Sequence, residues 1–447
     1  MSDIYPFTET LLGDLATLRR GITYKAVDLV DRDLGVPYVN MRSFLKGGGF
    51  NSDGLKYFNG MYREEDLVHD SDLLIANTDV TLDGDIVGIP AYLPDEIRSG
   101  LVLFSHHVTR LRLSGKVEAL FLYYLLSTDP YRRWMHKYAR GTTVLMLDMA
   151  AIKAIPIRYP DDKLIRKKVI NILQTIDEAI EKTEALIEKY GQIKAGTMHD
   201  LFTRGLTPDG KLRPPRDQAP DLYQETPIGW IPKIWRHDEL GNLLASTAYN
   251  LRSGPFGSAL LKSELVEDGI PLLGIDNIHV EQFVTTYGRF VSENKFNELI
   301  KYAVKPRDVI ITIMGTVGRS AVVPEEVGRA LSSKHLWTMT LNQNVVIPEL
   351  ICWQLNFSSW VKASFRRETQ GGIMDAIQSR TLRTLKLPVP PMPEQSLIFD
   401  RYNALSSVIR SESKRLLKLK LQRSGLMHDL LTGEVEVKID EVEAALV

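Results

Sequence analysis

The chain has 447 residues, 44% of them hydrophobic and 25% charged, with a formal net charge of −1. That is ordinary globular composition, with apolar material for two or three domains, and its near-zero charge excludes a uniformly basic nucleic-acid binder but not local basic surfaces. A single cysteine, Cys352, excludes an intramolecular disulfide. With no apolar run near ~18 residues and no signal-peptide pattern in Met1–Thr10, the reading is a cytoplasmic protein with no membrane association.

In chain order, residues 1–158 alternate strand-like and helix-like runs, such as Asp72–Ala76 and Glu118–Leu126, and predict a globular domain. Arg19, Arg20 and Lys25 form a basic loop near its start. Its strongest patch is Tyr131-Arg132-Arg133-Trp134-Met135-His136-Lys137-Tyr138-Ala139-Arg140-Gly141, which contains no acid. On a helix, Arg133, Lys137 and Arg140 share one face, with Trp134 and Tyr138 on the adjoining one. Such cations meet phosphates, and guanidinium groups can read guanine in the major groove. A solvated basic helix with its aromatics packed inward is the competing reading. Gly141, Thr142 and Thr143 would let backbone approach a nucleic acid closely, with hydroxyls as donors.

Residues 159–204 predict one long helix. Ile165, Val169, Ile172, Ile176, Ala179, Thr183, Leu186, Tyr190 and Ile193 alternate steps of four and three, the seam of a coiled coil. Six prolines between Gly205 and Trp235 predict an extended surface connector. Residues 236–390 predict a second globular domain, with strand-like Val309–Ile313 and helix-like Glu349–Leu355. Here Arg319, Lys362, Arg366, Arg367, Gln370, Gly371 and Gly372 are the candidate contacts. A second long helix over 391–433 carries a weaker seam through Tyr402, Leu405, Leu416 and Leu419, and 434–447 is a tail. The predicted class is therefore mixed α/β (α+β).

The chain also repeats itself. Gly196-Thr197-Met198-His199-Asp200-Leu201-Phe202-Thr203 returns 229 residues later as Gly425-Leu426-Met427-His428-Asp429-Leu430-Leu431-Thr432. Four further pairs keep the same order: Leu12–Leu15 with Leu240–Leu243, Gly35–Val39 with Gly269–Leu273, Asp72–Ile75 with Asp308–Ile311, and Ile155–Pro160 with Leu385–Pro390. Each unit is a globular segment followed by a helix. A pseudo-two-fold relation predicts antiparallel helices with a globular domain at each end. Counted from Ile165 and Ile398, the first helix should be four residues longer than the second, a difference of roughly 6 Å at 1.5 Å per residue. Antiparallel pairing should also crowd Arg166, Lys167 and Lys168 against Lys418, Lys420 and Arg423.

The duplicated module, the helices ending in Met-His-Asp-Leu, the opening Pro227-Ile228-Gly229-Trp230-Ile231-Pro232 and the proline-bearing exit strands together resemble the DNA-specificity subunit of type I restriction–modification enzymes. The resemblance spans essentially the whole chain. Gly141–Val144, Gln370–Ile373 and the turn Met314–Arg319 add to it; the first copy departs at that turn, with Asn77-Thr78-Asp79 and acidic Asp83 and Asp85. It implies two target-recognition domains on double-stranded DNA, each reading one half of a split, asymmetric site. It also implies helices that set the spacing and dock two methylation subunits, with a restriction/translocase subunit joining through the complex. Thr183-Glu184-Ala185-Leu186 resembles the short helical element whose copy number alters the spacer. S-adenosylmethionine, ATP and Mg would be used by partner subunits, and none would be bound by this chain.

No phosphate-binding loop, amino-methyltransferase motif, dinucleotide fingerprint, zinc pattern or nucleophile elbow is present. His107 and His335 occupy matching apolar segments with no metal-ligand spacing, and no metal is expected. These absences count against a nuclease or methylase with an unrecognised active site. The patched, duplicated domains count against a coiled-coil scaffold without DNA specificity.

Overall fold

Asp72–Ala76 is buried at every position, and so is Val309–Thr312. A strand covered on both faces must be apolar throughout rather than alternating, which is how both segments read. In the computed structural model, which describes residues 5–80, 83–369 and 377–439, these strands centre two sheets. The first orders Ala16–Arg20, Val108–Leu113, Asp72–Ala76 and Pro90–Ala91 as antiparallel neighbours. The second orders Leu251–Ser253, Leu336–Met339, Val309–Thr312 and Ser320–Val322 in the same way.

The rest of each scaffold repeats too. A smaller sheet pairs Val36–Val39 in parallel with Leu103–Phe104, as Ile270–Leu273 pairs with Ala330–Ser332. An opening strand lies antiparallel to an exit strand, Phe7–Leu11 on Pro156–Pro160 and Arg236–Glu239 on Lys386–Val389. All five sequence echoes thus fall at matching positions of a mixed α/β fold. Even the buried acid opening each central strand is answered alike. Asp72 accepts from Arg112 at 3.1 Å, and Asp308 accepts from Thr340 at 2.6 Å and from Arg252.

Two compact units result. One draws on the chain up to Ala185 and again from Ser413 onward; the other is Leu186–Glu412. Each therefore contains part of both long helices, Lys163–Thr203 and Met392–Thr432. In the first unit Ile165, Val169, Ile170 and Leu173 share a core with Met427, Leu430 and Leu431. In the second, Met198, Leu201 and Phe202 pack with Ile398 and Tyr402.

Three expectations about the helices change. Both are 41 residues long, so no four-residue difference separates them. The second starts directly behind Pro391 with Pro393 in its first turn, where a missing N–H costs nothing, and so begins further ahead of its seam than the first does. The basic residues do not repel: Arg423 binds Asp177, Lys420 lies 2.7 Å from Glu184 and Arg166 donates to Glu118 at 2.8 Å. The falling number of one partner against the rising number of the other sets the helix segments of this unit antiparallel.

Ile176 is buried and Ile172, Leu186, Leu405, Leu416 and Leu419 are half-buried, but Ile193 is 42% exposed. A straight helix drifts ~20° per heptad against a 3.5-residue repeat. Four heptads from Ile165 the buried stripe has moved nearly one residue, to Lys194 and Met198.

The proline-rich segment is more than a surface connector. It forms the hairpin Tyr223–Thr226/Gly229–Pro232, and Leu206, Ile231 and Trp235 enter the second unit's core. Arg213 bridges both carboxylate oxygens of Glu394 at 2.5 and 2.8 Å, and Glu394 also accepts from the Leu206 N–H at 2.8 Å.

Cys352 is buried in the second unit, and burial pushes its thiol up to about 12 from 9.0. The buried thiol is thus held in its protonated, unreactive form. The native chain should resist a thiol reagent such as dithionitrobenzoate and react stoichiometrically in denaturant. Prompt native labelling would contradict the burial.

Candidate nucleic-acid interface

In the first unit the basic patch forms helix Asp129–Tyr138, with Pro130 in its first turn. Its inward side carries Met135, fully buried, with Tyr131 and Trp134 packed against the core; Trp134 also lies on Tyr138, ring centroids 4.2 Å apart. Arg133 and Lys137 stay exposed on the other side.

Beyond the helix, Arg140 and Met146 exchange backbone hydrogen bonds of 2.9 and 2.8 Å, closing a hairpin. Gly141, Thr142, Thr143 and Val144 form its tip, all exposed. Gly141 has φ 137°, and a Cβ there would lie 1.9 Å from the Val144 carbonyl oxygen, so the turn needs glycine. The hairpin base pairs through Leu145–Met146 with Thr78–Asp79, which follows the central strand Asp72–Ala76. Arg20 reaches it, with Nη2 3.7 Å from the Met146 sulfur. Beside Arg20, His107 bonds Thr78 at 3.0 Å, and burial, His106 and the Arg20 charge hold its pKa below the usual histidine value. Arg20, Arg140 and the hairpin that carries the threonine tip thus meet at one end of the sheet. Lys25 is exposed at a separate turn, its backbone N–H donating to Asp28 at 2.7 Å.

Two candidates are redirected. Arg19 binds Glu65 at 2.6 Å and Asp66 at 2.8 Å. Neighbouring strand residues point to opposite faces, so Arg19 and Arg20 cannot serve one surface. Arg132 donates to the Val87 carbonyl at 2.7 Å. It lies about 100° around the helix from Arg133, on the side covered by the acidic loop. That loop also meets His136, whose Nε2 is 3.2 Å from the Asp83 carbonyl, and Gly84 and Gly88 have no side chain to block the approach. Its lysine contact, Lys46 to Asp85, is internal as well.

In the second unit the corresponding helix is Ser359–Thr369, whose Val361 and Phe365 are buried at the positions of Arg132 and His136. Arg319, Lys362 and Arg366 line one cleft of about 510 Å³, with Asn356 and the buried Phe365 among its walls. The turn Met314–Arg319 that shapes it is held by Thr312, whose hydroxyl oxygen accepts from the Arg319 N–H at 3.1 Å and donates to the Thr316 carbonyl. Gly315 and Gly318, at φ 72° and 90°, carry the chain through the turn. Arg367 is exposed nearby along the helix; Gln370, Gly371 and Gly372 lie outside the described residues.

Sequence reading missed a matched glycine pair. A Cβ on Gly21 or Gly254 would lie 2.0 Å from the carbonyl oxygen of Phe104 or Ser332. Arg19-Arg20-Gly21 against Arg252-Ser253-Gly254 was the available signal, too short to stand out. Among the described residues, His428, Asp429 and Glu434 place possible ligand atoms within 4.8 Å of one another, but His428 and Glu434 already form a 3.4 Å contact.

The chain matches the type I restriction modification DNA specificity domain over residues 6–189 and 261–421, one stretch in each repeat. It is 22% identical over 350 residues to the type I restriction enzyme MjaVIII specificity subunit of Methanocaldococcus jannaschii, covering 75% of each chain. It is 20% identical over 427 residues to the EcoBI specificity subunit of Escherichia coli, covering 94% of this chain and 83% of that one. A crystal structure of the S subunit from M. genitalium superposes with a TM-score of 0.57 at 16% identity, covering 98% of both chains. The chain belongs to the type I restriction–modification DNA-specificity family. It is a sequence-recognition subunit of such a complex and not an enzyme. Among the described residues no helix is long and apolar enough to cross a membrane.

Proposed function

We propose that each unit reads one half of a bipartite, asymmetric site on double-stranded DNA. In this reading the long helices set the spacing and dock two methylation subunits. The observation that carries it is one scaffold built twice with two unlike basic surfaces. The first unit offers Arg20, Arg133, Lys137, Arg140 and a threonine-tipped hairpin beside a helix side closed by an acidic loop. The second offers a cleft lined by Arg319, Lys362 and Arg366, with buried Val361 and Phe365 where the first unit has Arg132 and His136. Unlike surfaces on equal scaffolds suit unlike half-sites. The complex would act in the cytoplasm. S-adenosylmethionine, ATP and Mg would serve the methylation and restriction/translocase subunits.

Genome-wide methylation mapping with and without the gene tests this. Loss of one bipartite methylated motif is expected; unchanged methylation in a modification-active strain would sink the reading. For the phosphate-facing cations, Arg133→Ala with Lys137→Ala should weaken binding to all sequences alike. The slope of log K against log salt should shrink by about 0.9 for each phosphate no longer neutralised. An unchanged slope would remove this helix side from the interface.

A further inference from the structure

The repeat builds the same cavity twice. In the second unit a cavity of about 570 Å³ lies between the first long helix and the start of Ser359–Thr369. In the first unit one of about 550 Å³ lies between the second long helix and the start of Asp129–Tyr138. Every long-helix position lining one has its counterpart 229 residues away lining the other, including Gly191 with Lys420, Ala195 with Ser424 and Phe202 with Leu431. The repeated Met-His-Asp-Leu motif supplies Met198 and His199 to one, Met427 and His428 to the other. A cation stands at the same position in both, Lys194 or Arg423, each held by one carboxylate that also accepts from a tyrosine: Glu281 from Tyr402, Asp177 from Tyr124.

The surroundings differ. The second-unit cavity is apolar, with Trp360 and the 44% exposed Phe357 at its edge, and its Lys194 is answered by Glu281 within the same lining. The first-unit cavity presents three cations, Arg158, Lys420 and Arg423, against one lining carboxylate, Asp129; the acids paired with those cations, Glu9, Glu184 and Asp177, lie outside its lining. Beside it, Leu417 and Leu421 are 62% and 66% exposed on the same helix.

Resting on the function proposed above, we propose that these twin cavities each seat the same short segment from one of two methylation-subunit copies, a large apolar side chain flanked by a carboxylate. Two equal floors at one register call for one occupant used twice, and the shared Met, His and cation fit that pair of groups. The linings make the two seats unequal. The copy on the second unit is held by apolar burial and resists salt; the copy on the first is held by charge and is released by it.

The test reconstitutes the full chain with its methylation subunit and follows mass by light scattering from about 0.1 to 1 M KCl, over which the screening length falls from ~10 to ~3 Å. The wild type should pass from two bound copies to one. Ala195→Trp, at an exposed position, should fill the second-unit cavity and leave one salt-labile copy. Ser424→Trp should leave one salt-resistant copy. Ala195→Ser and Ser424→Ala should keep both, and unchanged circular-dichroism melts would show that the tryptophan variants fold. Two copies retained by both tryptophan variants, or simultaneous loss of both copies with salt, overturns the twin-seat proposal alone. A wild type that binds no methylation subunit overturns the functional reading with it.

Discussion

Glu394→Ala should destabilise the second unit by about 3–5 kcal/mol, because it leaves a buried guanidinium without its partner. Arg213 and Glu394 have side chains 7% and 6% exposed, and the carboxylate also holds the Leu206 N–H. Three donors, two on Arg213 and the Leu206 N–H, therefore lose one carboxylate. Removing both charges together, as Arg213→Met with Glu394→Leu, should recover much of the loss, since desolvation of both ions disappears with the pair. Cys352 lies in the same unit and reports the outcome. Its labelling under native conditions should accelerate by about two to three and a half orders of magnitude in the single variant, at about 1.4 kcal/mol per tenfold. Unchanged labelling would mean that the pair does not hold this unit together.

Deletion of Thr183–Leu186 should change the spacer of the methylated motif while leaving both half-sites intact. Four residues shorten a helix by roughly 6 Å and turn it about 40° past a full turn. Six ångströms is close to two base pairs at 3.4 Å each. The deletion falls after Asp177 and removes Glu184, so Lys420 loses its partner but Arg423 keeps its own. Methylation mapping of the variant would show either the same half-sites at a new distance or, against the proposal, the original spacing.

The repeat was legible because its positions are set by burial. A doubly covered strand, a proline-bearing exit strand and a helix end each restrict residue choice in the same way in both copies. The helix seam was legible for about four heptads and then failed at Ile193, where the true helical period outruns a 3.5-residue repeat. The supposed length difference was an error of alignment. Ile165 and Ile398 look alike but lie at different distances from their helix starts, which only the proline-bounded geometry reveals. The basic patch was visible as composition, yet composition does not say which cations the protein itself uses. Arg19 and Arg132 are bound by groups 46 and 45 residues away in sequence. Arg133, one position along from Arg132, is exposed.

The division of the chain bears on how it is made. The first unit needs residues from Ser413 onward, which emerge only after the whole of Leu186–Glu412 has been synthesised. At 5–20 residues per second that interval lasts roughly 10–45 s. Throughout it Ile165, Val169 and Leu173 lack Met427, Leu430 and Leu431, so a greasy helix flank waits uncovered on the ribosome. The second unit's segments are contiguous, so the later-made half of this protein can finish folding before the earlier one.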